Sequence, residues 1–356
     1  MKRLGEIELM RLLTAMAVMI FHGFYYAGCA CVLPGGSIGV EFFFLLSGYL
    51  MAAHMQREPQ PIASFAKLYT ETYRYLWHRV VSFWPELLVA CCIGLAVFSW
   101  GHHFAVRPTL NMAHDTLMGN VLLLHMTALA PRGVDGPVWY LSALLLSSAV
   151  LYPLFRRYGH SPIWVVMALV LLGYILVADS KSPTLGFAGV RQWMGWTYKG
   201  NLRALAELAL GASLYPLVQF LLRQRVTQVL SVVLTMLKWG CYCVAFLYCL
   251  HPSGRFAPIT LVALGCALVL CFSRLCMDRD WYQYQWILWF GRFSLPLYLS
   301  HVFWAHNLAA ILPWLVNPWG KLFVYSGVSL LTALVVMLLA KQLRSLGGYL
   351  LTAQKS

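Results

Sequence analysis

The chain has 356 residues, of which 60% are hydrophobic and 11% charged, with a mean hydropathy of +0.69. That balance excludes an ordinary water-soluble domain, because apolar stretches of about 20 residues, enough to cross a hydrocarbon core, recur throughout. The net charge of +14 would suggest nucleic acid in a soluble protein, but here the positive-inside bias accounts for most of it, and no nucleic-acid partner is expected.

The sequence predicts an all-α, polytopic membrane protein forming one integral-membrane domain over 1–356. Spans fall near 8–28, 36–54, 80–100, 137–155, 161–178, 203–222, 229–250, 257–275, 285–310 and 320–341. The run from Leu117 to Ala130, about 14 residues with Asn120 and His125 inside it, reads as a half-span or buried helix. If it does not cross, fifteen Lys and Arg lie in inner loops and eight in outer ones, as the positive-inside rule requires. Ten crossings with both termini cytosolic is therefore the expected topology. No internal repeat or soluble domain is expected.

The first span carries Glu6, Glu8 and Arg11 before its apolar run and lacks a small-residue cleavage site, so it is expected to be retained. Arg11 and His22 are eleven steps apart. On a helix that leaves them within about 20° of one face and roughly 16 Å apart along the axis. Ionisable residues inside a membrane are costly and usually face a cavity. The alternative is that Arg11 snorkels to the headgroups and His22 packs in the core. Cys29 and Cys31 lie too close in sequence for an easy disulfide. Cys91, Cys92, Cys241, Cys243, Cys249, Cys266 and Cys271 read as small packing residues.

The second span reads Gly39-Val40-Glu41-Phe42-Phe43-Phe44-Leu45-Leu46-Ser47-Gly48-Tyr49-Leu50. Ser47-Gly48 is a small-residue helix contact. Glu41 needs a partner in lipid, and the short outer loop suggests His22, whose basicity a carboxylate would raise. A purely structural polar pair is the alternative. Further along, His102, His103 and His114 lack the spacing of a metal site, and no metal is expected. The Arg156-Arg157 pair reads as a topology anchor. The loop from Asp179 to Gly200 contains Phe187, Arg191, Trp193, Trp196 and Tyr198; these suit either a sugar or the membrane interface. Glu207 is an intramembrane carboxylate one turn from Arg203, and His301 a mid-helix histidine in the ninth span; each is read as either a site residue or a paired core residue.

Five stretches in order carry a family resemblance. They are the Arg11–His22 spacing, the Gly39–Gly48 run, His78-Arg79-Val80-Val81-Ser82-Phe83-Trp84-Pro85, Val138-Trp139-Tyr140-Leu141, and Phe290-Gly291-Arg292-Phe293-Ser294-Leu295-Pro296-Leu297-Tyr298-Leu299-Ser300-His301. Together they resemble the acyltransferase-3 family of integral-membrane O-acyltransferases. The resemblance implies transfer of an acyl group, usually acetyl, from cytosolic acyl-coenzyme A to a hydroxyl of a surface polysaccharide, lipid-linked saccharide or related glycoconjugate. Acyl-coenzyme A is then a co-substrate, with no bound cofactor, and the bacterial cytoplasmic membrane is the expected location. His22 is the implied general base with Glu41 beside it. Arg11 is suited to bidentate phosphate contact, and Arg74 and Arg79 are further donor-binding candidates. Ser47, Tyr298 and His301 are oxyanion or pocket candidates. Trp139, Arg191, Trp193 and Trp196 are acceptor-binding candidates. Two positions depart from the family pattern: Glu41 stands where Asp is common, and Ser82 where a second arginine is common. No hydrolase-like extension is expected, so the chain acts alone or with polysaccharide-assembly proteins. A proton-coupled transporter using the same His, Arg and Glu residues is the main alternative.

Overall fold

The computed structural model describes residues 4–56, 61–129, 133–178, 189–253, 256–277 and 284–353. Ala130, Asp179 and Phe187 lie outside the described residues. The helices are α1 (Gly5–Ala27), α2 (Gly39–Met55), α3 (Phe65–Gly101), α4 (Val106–Thr116), α5 (Trp139–Tyr158) and α6 (Ile163–Ala178), followed by α7 (Lys199–Leu221), α8 (Gln228–Leu250), α9 (Ala257–Ser273), α10 (Gln285–Ser300), α11 (Val302–Ile311) and α12 (Pro318–Ala353). No strand forms among the described residues; a single bridge joins Trp193 and Tyr198.

Among the described residues, seven helical segments are long and apolar enough to cross a membrane. Three apolar helices are shorter: α6 with 16 residues, α9 with 17 and α11 with 10. In lipid every backbone polar group must be satisfied within the segment, which is why helices carry the whole fold. Large apolar side chains such as Val170, Val233 and Leu331 remain exposed on outward faces, as expected of surface meant for acyl chains.

The structure alters two expected spans and shortens the expected half-span or buried helix. The span 80–100 lies within the 37 residues of α3; at 1.5 Å per residue α3 is about 55 Å long, so its first turns, bearing Arg74, His78 and Arg79, outrun an apolar core. The span 285–310 is two helices broken at His301. Pro296, within α10, removes one backbone donor from that helix. The run from Leu117 does not form a helix of crossing length: five residues, Leu117–Val121, make one π-type turn. Asn120 explains the stop, since its side chain donates to the carbonyl of Asp135 at 2.7 Å and accepts from its N–H at 3.2 Å.

Two contacts set the architecture around the site. A Cβ at Gly48 would lie 2.1 Å from the carbonyl oxygen of Leu208, and one at Gly211 would lie 2.1 Å from that of Leu45. Backbones of α2 and α7 therefore touch directly, the arrangement small residues permit in membranes. Helix α1 is anchored at its start by Glu6, which accepts from Lys238 Nζ at 2.6 Å and from the Tyr242 hydroxyl at 2.9 Å on α8. On its other side it packs against α10.

Candidate active site

Three cavities follow one another along the bundle. The first, of about 450 Å³, is lined by His54, Arg74, Tyr75, His78, Arg79 and Arg156, among others. Glu71, the one lining carboxylate among the described residues, accepts from Arg156 Nη2 at 2.9 Å and Nε at 3.1 Å. The second, of about 420 Å³, shares Arg79 and Ser82 with the first and adds Glu8, Arg11, Ser47, Tyr140 and Tyr298. The third, of about 370 Å³, is lined by His22, Tyr26, His125, Trp139, Arg191 and His306. Helix α1 links the last two: Arg11 lines the second cavity, and His22, on the same face of α1, lines the third.

Arg11 is held by Glu8, with Nη1 2.9 Å from Oε2. Room for that carboxylate comes from Gly291, where a Cβ would collide with Glu8 Oε2 and Cβ. Arg79 Nη2 reaches the carbonyl of Ser47 at 3.4 Å, and the Ser47 hydroxyl lies 3.2 Å from that of Tyr140. Ser82 stays on the basic side as well: its carbonyl accepts from Arg344 of α12 at 2.8 Å, and Arg344 also pairs with Glu86.

The second and third cavities meet at a wall of rings. Tyr298 donates its hydroxyl to the carbonyl of Pro137 at 3.1 Å; Tyr298 faces one cavity and Pro137 the other. Phe43 and Tyr140 pack against Tyr298 with centroids 6.1 and 5.8 Å away. Consecutive residues of α5, Trp139 and Tyr140, line opposite sides of this wall.

His22 and His301 are buried at 3% and 0% exposure. His22 Nδ1 lies 2.8 Å from His301 Nε2, and His301 Nδ1 lies 3.0 Å from the carbonyl of Leu297. Glu41 is not the partner that the sequence suggests for His22. Its Oε1 is 2.6 Å from Arg203 Nη2, and Arg203 Nε is 3.5 Å from Glu207. Arg203 also lies over Trp139, 5.6 Å from the ring centroid. The reason is packing. The glycine contacts press α2 onto α7, and a guanidinium is a far better match for a buried carboxylate than a neutral imidazole.

A family model described as an acyltransferase domain matches residues 4–340, nearly the whole chain. The chain belongs to the acyltransferase-3 family. It is a multi-pass membrane protein and, in general terms, an acyltransferase. Neither a search of curated proteins nor one of solved structures gives a match.

Set against the family's expected residues, the structure gathers Arg11, Ser47, Arg79 and Tyr298 into one cavity, with Arg74 in its neighbour. His22, Trp139 and Arg191 come together in the third. Trp193 and Trp196 do not join them: both are exposed, and Trp193 donates to the carbonyl of Gly195 at 2.8 Å. The Tyr298 hydroxyl hydrogen is committed to Pro137, which counts against an oxyanion role. Arg156 is more than a topology anchor, since it is buried on Glu71. Among the described residues no group of three or more His, Cys, Asp or Glu is arranged to hold a metal ion.

Sequence reasoning missed His306, whose ring packs tilted against Tyr26 with centroids 4.2 Å apart, and Asp135. Asp135 is fully buried, and neither carboxylate oxygen has a hydrogen-bond partner. Burial pushes its carboxyl well above the usual carboxylate range. The signal was an acid set between Gly133 and Gly136, just before the Val138-Trp139 motif.

Proposed function

We propose that this acyltransferase moves an acyl group, most simply acetyl, from acyl-coenzyme A to a hydroxyl of a saccharide-bearing acceptor, with His22 as general base. One observation carries the reading. A buried imidazole forms part of one cavity, while an arginine eleven residues earlier on the same helix forms part of another, so donor and acceptor can approach from opposite ends. The arginine-rich pair of cavities suits the phosphates of the donor, with Arg11 and Arg79 as bidentate contacts and Arg74 further out. The pantetheine arm would extend toward the ring wall. The acceptor occupies the third cavity, where Trp139 offers an aromatic face and Arg191 a cation.

In the reaction His22 takes the hydroxyl proton as the acceptor oxygen attacks the thioester carbonyl. The tetrahedral intermediate collapses with loss of the coenzyme A thiolate, which regains a proton from the imidazolium. An ester on the acceptor and a free thiol result. The positive-inside bias supports a cytosolic position for the arginine-rich cavities, and a bacterial cytoplasmic membrane fits a coenzyme A donor.

The test is mass spectrometry of envelope glycans from cells with the wild-type chain, with His22→Ala, and without the chain. The wild type should add one acyl mass, and His22→Ala should lower it by about 10²–10⁴-fold at normal membrane abundance. In sealed vesicles the donor should work only from the cytosolic face. Unchanged glycan acylation in a well-inserted His22→Ala protein would refute the mechanism.

A further inference from the structure

We infer that His301 is the positioning residue that fixes the tautomer and aim of His22. This rests on the reading of His22 as the base. The argument follows from which atoms can donate. A carbonyl oxygen only accepts, so the 3.0 Å contact between His301 Nδ1 and Leu297 places a proton on that nitrogen. In a neutral ring Nε2 of His301 is then an acceptor. Its 2.8 Å partner, His22 Nδ1, must donate to it. That leaves His22 Nε2 as the nitrogen without a proton, the form a general base needs. A charged ring in either place would leave an imidazolium sealed at 3% or less exposure, at high desolvation cost.

The helix break makes this chain of bonds available. Leu297 is in the last turn of α10, where carbonyls lack intrahelical donors, and α10 ends at Ser300. The His301 ring turns back to satisfy that carbonyl and presents Nε2 to α1. His301 does not line the third cavity, whereas His22 does. It therefore acts on the acceptor only through His22. The geometry is that of an orienting group behind a base, with a backbone carbonyl as the final acceptor.

The test uses the full-length protein in lipid with ¹⁵N-labelled histidine. His22→Ala identifies the His22 ring signals by difference. The wild type should show His22 protonated at Nδ1 and imine-like at Nε2. His301→Leu removes the acceptor, and a second tautomer of His22 should appear. His301→Gln retains a side-chain acceptor and should restore the wild-type pattern. In acyl transfer, His301→Leu should lower kcat by on the order of 10²-fold with little change in KM for the donor, and His301→Gln should recover much of it. A wild-type His22 carrying its proton on Nε2, or His22 signals indifferent to His301→Leu, would overturn the assignment. The wild-type spectrum decides even if the leucine variant does not fold. The spectra need no substrate, so a correct tautomer in a protein that transfers no acyl group would refute the proposed function alone.

Discussion

Glu41, Arg203 and Glu207 form a buried group in which two carboxylates share one guanidinium. Nothing in the sequence spacing separates an acid that serves a base from an acid that serves an arginine 162 residues away. The intramembrane acid was legible; its partner depended on which helices touch. Asp135 shows the same limit, since it is buried and its backbone is clasped by Asn120, fifteen residues earlier. Its raised carboxyl pKa has a thermodynamic consequence. The folded state binds a proton that the unfolded chain, with an aspartate pKa of about 3.9, has lost at neutral pH. Stability must therefore fall as pH rises above about 4. Asp135→Asn cannot titrate, so thermal unfolding from pH 5 to pH 8 should decline less steeply in the variant. Parallel declines would show that Asp135 does not bind that proton.

Among the elements, α1 was the most readable and α10 the least. The helical repeat alone put Arg11 and His22 on one face, and that face does border two cavities. The interruption at His301 was hidden, because an apolar run of spanning length reads as continuous even with Pro296 inside it. Ser47-Gly48 was legible as a small-residue contact, but the stretch of α7 it meets, at Leu208 and Ala212, was not. Gly291 gives a sharp test of how α10 supports α1. A methyl group at that position displaces the Glu8 carboxylate, leaving Arg11 without its 2.9 Å partner. A charge-assisted hydrogen bond contributes about 1.5–3 kcal/mol, so Gly291→Ala should raise KM for the acyl donor about tenfold. The kcat should hardly move, since His22 is untouched. A fall in kcat at constant KM would mean that the arginine acts in the chemical step.

At the scale of the whole molecule, hydropathy and charge marked out a helical multi-pass membrane protein, while the order of the cavities came only from packing. That order has a consequence for the membrane itself. Openings at both ends of a transmembrane protein threaten to become a conductor, and a cell that stores energy as a proton gradient cannot tolerate one. Between the second and third cavities stands the Tyr298–Pro137 contact with Phe43 and Tyr140 beside it. This ring cluster is then the molecule's electrical insulation. In proteoliposomes with an imposed pH difference, the wild type should dissipate it no faster than empty vesicles. Tyr298→Ala removes the whole ring from its packing against Phe43 and Tyr140 and should raise proton flux several-fold above the wild type through the gap it leaves. Tyr298→Phe keeps the ring and should stay tight, so the seal between the two cavities would rest on one aromatic face.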